Sequence, residues 1–275
     1  MYAQQSNIDW NAVSLPGIDG STVAIVLGAG GAIGGATAHA LAAMGAKVAV
    51  VTRDIERSTQ LAKSLGASQP PLPAVADLSE PGSLEQLVDR VIDRLGAPAV
   101  LVNSAAISAP RRDVTEVSRD EVGRILDVNV VGAYEAVKAV APAMRAAGYG
   151  RIVNIASIAA IRSSHGSVAY GVSKAAVIGL TEQMAVELAA DGITVNCVSP
   201  GQTPTKLRSI DEAAGTPQEA AAAGHSADAI PTGRRGRLDD YVGAIVFLSS
   251  ALADYITGMD ISVEGGVRLV RPKSF

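Results

Sequence analysis

The sequence predicts a single α/β domain built on a doubly wound parallel sheet of about seven strands. Three observations carry this. From residue 21 onward, short apolar runs alternate with helical segments of 10–20 residues, the pattern of βαβ units. The runs are near-continuously apolar, as expected of strands covered by helices on both faces. A glycine-rich turn, Gly28-Ala29-Gly30-Gly31-Ala32-Ile33-Gly34, joins the first run to the first helix.

Taken in order, residues 1–20 are polar, contain Pro16, Gly17 and Gly20, and read as an N-terminal tail. Strands are expected at 22–27, 47–51, 73–76, 99–102, 152–155, 194–198 and 260–263. Helices are expected at 32–45, 55–65, 84–95, 169–190 and 239–250, with 114–148 helical in one or two pieces. Residues 203–232, rich in Ala, Gly, Ser and Pro, break the alternation and read as a lid or a mobile loop. The folded domain spans 21–266, and 267–275, basic through Arg268, Arg271 and Lys273, forms a C-terminal tail.

Composition narrows the function. Apolar residues make up 48% and aromatics 3%, so the core is built of Ala, Val, Ile and Leu. A net charge of −4 argues against nucleic acid as a partner. The single cysteine, Cys197, permits no internal disulfide and sits in an apolar run, where it reads as a small buried residue. The first twenty residues lack the basic start and apolar run of a signal peptide. No run reaches the ~18 uninterrupted apolar residues of a membrane span. A soluble cytoplasmic protein is expected. His39, His165 and His225 stand alone, without companions at ligand spacing, so no metal is expected.

The chemistry is carried by Ser157, Tyr170 and Lys174. Tyr170 and Lys174 are four apart and share one helix face. Ser157 ends the run Arg151-Ile152-Val153-Asn154-Ile155-Ala156-Ser157. A cation beside a phenol stabilises phenolate and makes it a usable general acid or base. The serine can then hydrogen-bond a substrate oxygen. By itself a Tyr-x-x-x-Lys pair is as consistent with a solvated helix face.

At the nucleotide end, Gly28, Gly30, Gly31, Ile33 and Gly34 form a turn that lets a backbone approach a pyrophosphate. The second strand ends at Thr52 and Arg53, with Asp54 beyond. An acid at that strand end bonds a ribose 2′-hydroxyl, whereas an arginine accommodates a 2′-phosphate. The sequence therefore favours NADP(H), with NAD(H) the alternative and a solvated Arg53 the bland reading. Asp77, after the third strand, either bonds adenine or caps the next helix.

Together these residues resemble the short-chain dehydrogenase/reductase family over about 22–266. The resemblance implies a Rossmann-type fold and places the cofactor turn on Gly28-x-x-x-Ala32-Ile33-Gly34. It implies adenine contact by Asp77 with Leu78 beside it, and a sheet segment Asn103-Ser104-Ala105-Ala106 beside the cofactor. It implies a catalytic tetrad of Asn129, Ser157, Tyr170 and Lys174. The Pro200-Gly201-Gln202-Thr203-Pro204-Thr205 segment would close over the nicotinamide. Four departures stand out: Leu27 for Thr, Ala32 for Gly, Ala106 for Gly and Glu264 for Asp. The first removes a side-chain tether to Asn103. In the implied mechanism Ser157 holds the carbonyl oxygen, Tyr170 donates the proton, Lys174 tunes Tyr170 and bonds the nicotinamide ribose, and Asn129 holds a relay water. The substrate is a small alcohol or carbonyl compound, contacted by Ser157, His165 and Gln202. Arg162, Ser163, Ser164 and His165 either bind it or decorate a turn. A tetramer built on the two long helices is implied.

Two other readings compete. One is an NAD-linked dehydrogenase of a sugar, polyol or cyclic diol. The other is a nucleotide sensor without catalysis, against which the intact tetrad speaks. Enoyl reduction is disfavoured because relatives with that activity space the Tyr and Lys farther apart.

Overall fold

The computed structural model describes residues 6–108, 111–163, 165–203 and 229–270. Among these, seven strands form one parallel sheet. They are β1 (Val23–Leu27), β2 (Lys47–Thr52), β3 (Leu72–Val75), β4 (Val100–Asn103), β5 (Gly150–Ile155), β6 (Ile193–Pro200) and β7 (Asp260–Val263). Their order is β3-β2-β1-β4-β5-β6-β7. The order reverses between β1 and β4, so the carboxyl ends of these two strands open a crevice where ligands bind in open α/β sheets.

The helices are α1 (Ala32–Ala43), α2 (Ile55–Ser64), α3 (Ser83–Leu95), α4 (Arg119–Leu126), α5 (Gly132–Ala147), α6 (Val168–Leu188) and α7 (Leu238–Leu248). Their patterning follows their place. Helix α3 buries only Leu84, Leu87, Val88 and Val91, one stripe at the spacing i, i+3, i+4, i+7. Helix α1 is Gly- and Ala-rich and buried around most of its girth, because it lies between the sheet and α7. Local chemistry sets the starts: Asp54 caps α2 and Ser118 caps α4 through side-chain oxygens. The predicted 114–148 helix is two helices joined by a π-helical turn, Asp127–Val131. Asp77 is not the cap of α3, which is Gly82.

The segment read as a polar N-terminal tail is packed from residue 6 onward. Trp10 is 5% exposed and Ile18 3%, both within the core on the α1/α7 side of the sheet. The Asp239 carboxylate accepts from the Asn7 amide at 2.6 Å and the Ser6 hydroxyl at 2.9 Å. The Pro16 carbonyl accepts from the Ala251 amide. Sequence periodicity could not show this, because the partners lie more than 200 residues away. The C-terminal tail also begins packed: Val267 is buried, and its carbonyl accepts from Arg162 Nη1 at 2.6 Å.

Candidate active site

The crevice is lined first by the glycine turn. Gly28 has φ +71°, and a Cβ there would stand 2.5 Å from the Ala105 amide nitrogen. A Cβ on Gly34 would stand 2.5 Å from the Gly28 carbonyl oxygen. Side chains at these positions would collide with the main chain of the turn and of the segment after β4. Glycine therefore lets the turn close tightly at the start of α1, and a glycine turn at a helix N-terminus suits a dinucleotide pyrophosphate. Ile33 opens α1 just beyond it. Leu78 packs on Gly132, where a Cβ would come within 2.7 Å of the leucine Cβ.

Below the turn, Leu27 pairs with Asn103 across β1 and β4. Asn103 Nδ2 makes a long 3.5 Å contact to Asn154 Oδ1, and Asn103 Oδ1 is buried with no hydrogen-bond partner among the described residues. Leucine at position 27, its neighbour in register, has no hydrogen-bonding side chain.

At the end of β2, the Thr52 hydroxyl donates to the Asp54 carbonyl at 2.5 Å. Asp54 Oδ1 accepts from the Glu56 and Arg57 amides at 2.7 and 3.0 Å. Arg53 is exposed. The Asp77 carboxyl is held below its ordinary range by hydrogen bonds from the Ser79 hydroxyl and amide, with a smaller contribution from Arg53. Arg53 and Asp77 thus flank the same corner.

The polar centre is built where β5 meets α6. Lys174 is 3% exposed, and its Nζ donates to the Ile155 carbonyl at 2.7 Å, two residues before Ser157. Burial drives its pKa down to about 8. The ammonium lies 5.8 Å from the centre of the half-buried Tyr170 ring. Ser157 caps the short 3-10 turn Ile158–Ala160, its hydroxyl accepting from the Ala159 amide at 3.2 Å. That turn packs on α6.

Asn129 sits in the π-helical turn, 2% exposed. Its Oδ1 accepts from the Ile107 amide at 2.8 Å, and its Nδ2 donates to the Ile107 carbonyl at 2.9 Å and to Ser173 Oγ at 3.0 Å. Ser173 Oγ in turn donates to the Tyr170 carbonyl at 2.8 Å. A π turn widens the helix by one residue and is frequent at functional sites. Sequence reasoning passed over Ser173; its signal was position i+3 from Tyr170, on the same helix face.

The other predicted residues are distributed more widely. Pro200 ends β6, the Gly201 amide donates to the Val263 carbonyl at 2.9 Å, and the Thr203 hydroxyl donates to the Gly201 carbonyl at 3.3 Å. Gln202 is half-buried, and its carbonyl accepts from the Gly236 amide and the Tyr241 hydroxyl. His165 is exposed and sits near Asp113. Thr205, Ser164, His225 and most of the predicted lid, residues 204–228, lie outside the described residues. Cys197 is fully buried, and burial pushes its thiol pKa up, so it is not poised as a nucleophile. Among the described residues no cluster of three metal-ligating side chains occurs, and no helix is long and apolar enough to cross a membrane.

Comparison with known proteins finds relatives over nearly the whole chain. The family model described as "Enoyl-(Acyl carrier protein) reductase" matches residues 28–268. The 3-oxoacyl-(acyl-carrier-protein) reductase FabG of Escherichia coli is 32% identical over 251 residues, covering 90% of this chain and 98% of that one. Galactitol 2-dehydrogenase of Agrobacterium fabrum is 36% identical over 253 residues, covering 89% and 96%. The structure of a gluconate 5-dehydrogenase from Burkholderia cenocepacia in complex with NADP and tartrate aligns with a TM-score of 0.81 at 29% identity, covering 96% and 99%. The chain belongs to the short-chain dehydrogenase/reductase family and is an NAD(P)-dependent oxidoreductase acting on CH–OH and C=O groups.

Proposed function

We propose that the chain interconverts a secondary alcohol and a ketone, as an alcohol dehydrogenase or carbonyl reductase that prefers NADP(H). The observation that carries this reading is the buried Lys174 ammonium set one helical turn from Tyr170 and tied to the strand end that leads into Ser157. A cation in that place favours the phenolate form of Tyr170, so the phenol can pass its proton to, or take it from, a substrate oxygen. Ser157 would hydrogen-bond that oxygen. A bound nicotinamide supplies or accepts the hydride. Both N–H groups of the Asn129 amide are engaged by Ile107 and Ser173, so this side chain would hold a relay water only as an acceptor, through Oδ1. The four-residue Tyr–Lys spacing supports carbonyl chemistry over enoyl reduction. The NADP(H) preference is supported by Arg53 at the end of β2, where Thr52 and the capping Asp54 offer a ribose hydroxyl little.

A second reading, dehydrogenation of a sugar or polyol, is favoured by the galactitol 2-dehydrogenase relative. His165 and Gln202 are the polar candidates for such a substrate. We also place the enzyme in the cytoplasm and read it as a tetramer built on the long helices, where Val131, Tyr134, Val168, Val172 and Val186 are exposed. Turnover of simple secondary alcohols and of polyols, each with NADP+ and NAD+, separates the two substrate readings. Tyr170→Phe should abolish turnover while NADPH binding, read by fluorescence, survives. A Tyr170→Phe variant that still turns over refutes the assignment.

A further inference from the structure

Three segments meet at the adenosine end of the crevice: the turn after β1, the end of β2, and the first turn of α2. The Thr52 hydroxyl and one oxygen of the exposed Asp54 carboxylate are engaged by the main chain. Thr52 Oγ1 bonds both the carbonyl and the amide of Asp54, and Asp54 caps α2. Two arginines face outward. Arg53 is exposed and makes no hydrogen bond or ion pair among the described residues. Arg57 reaches back from α2 to the glycine turn, where its Nη2 donates to the Gly30 carbonyl.

Glycine at position 30 leaves room for this contact. A Cβ there would stand 2.7 Å from Arg57 Nε. The element that carries Arg57 is fixed. The next residue, Ser58, is fully buried, and its hydroxyl donates to the Val50 carbonyl at 2.6 Å and accepts from the Ala74 amide at 3.0 Å. This pins the first turn of α2 to β2 and β3. The guanidinium so held touches a neutral carbonyl, and no carboxylate neutralises it among the described residues. Its Nε and Nη1 make no other hydrogen bond there.

We propose that Arg57 joins Arg53 in holding the 2′-phosphate of NADP(H), and that Gly30 is glycine to admit Arg57. A phosphate monoester carries close to two negative charges at neutral pH, whereas the 2′-hydroxyl of NAD carries none. Two guanidinium forks match that charge and its several acceptor oxygens. The inference rests on the NADP(H) reading above and extends it to a residue five positions beyond the end of β2.

The test is calorimetric titration of the full chain with NADP+, NAD+, 2′,5′-ADP and 5′-AMP. The wild type should bind 2′,5′-ADP more tightly than 5′-AMP. Arg57→Ala should weaken NADP+ and 2′,5′-ADP by about ten- to a hundredfold, leaving NAD+ and 5′-AMP little changed. Gly30→Ala should lower the NADP+ to NAD+ affinity ratio in the wild type but not further in the Arg57→Ala background. Equal loss for both members of each pair, or no loss for either, overturns the role of Arg57 while the wild-type preference stands. A ratio that Gly30→Ala lowers equally without Arg57 overturns the role given to Gly30. A wild type that fails to tell 2′,5′-ADP from 5′-AMP overturns the NADP(H) reading itself, and this inference with it.

Discussion

Lys174 Nζ and the Ile155 carbonyl oxygen, 2.7 Å apart, tie helix α6 to the strand end that leads into Ser157. The bond orients a cation that the fold otherwise disfavours. The folded pKa, about 8, lies below the ordinary 10.5, so between these values the native state binds fewer protons than the unfolded chain. Stability therefore rises with pH across that window, and below pH 8 the full penalty applies, about 3 kcal/mol.

Lys174→Met should accordingly abolish turnover and stabilise the protein near neutral pH. Losing the Ile155 hydrogen bond costs about 1 kcal/mol, leaving a net gain of roughly 2 kcal/mol at pH 7. The gain should shrink as pH rises past 8, reach zero before pH 10.5, and turn there into a loss that approaches the ~1 kcal/mol of the missing hydrogen bond. Urea denaturation of both proteins at pH 7 and pH 10 reads it directly. A variant less stable than wild type at pH 7 would show that the lysine's contacts outweigh its desolvation.

Ser173 links the Asn129 amide to the Tyr170 carbonyl. Ser173→Ala leaves the Ile107–Asn129 bonds in place and removes only this link. We expect kcat to fall about tenfold, the equivalent of ~1.4 kcal/mol at the transition state, with KM and cofactor affinity nearly unchanged. A change confined to KM would make Ser173 a substrate-binding residue instead.

Trp10 is 5% exposed in a segment whose sequence reads as a tail. Trp10→Ala should destabilise the domain by about 3–5 kcal/mol. An unaltered denaturation midpoint would show that the segment contributes little.

The sheet was legible because a parallel sheet covered on both faces leaves apolar runs in the chain. Each expected strand lies within two residues of the observed one, and β7 was read at 260–263, where it lies. Trp10, Leu15 and Ile18 are too few and irregular to show a period, and the turn that carries Trp10 packs on α1, outside its own segment. Arg57 was invisible for a similar reason. Its position on α2 is readable, but its reach to Gly30 exists only once β1 and β2 pair. Asn129 was recognised by resemblance alone, and the π turn that seats it has no periodic signature.

The bonds from Ser6 and Asn7 to Asp239 close the domain over 232 or more residues of chain. On a ribosome adding roughly 5–20 residues per second, the first segment emerges on the order of ten to fifty seconds before its acceptor. These two bonds therefore form late in biosynthesis, after the turn of Trp10 has met α1. Until then the Ser6 hydroxyl and the Asn7 amide lack this acceptor, an interval in which nascent chains are exposed to one another. A folding assay started from the full-length chain would not experience that delay, so yield in cells and refolding yield in the tube can part company for variants near Trp10.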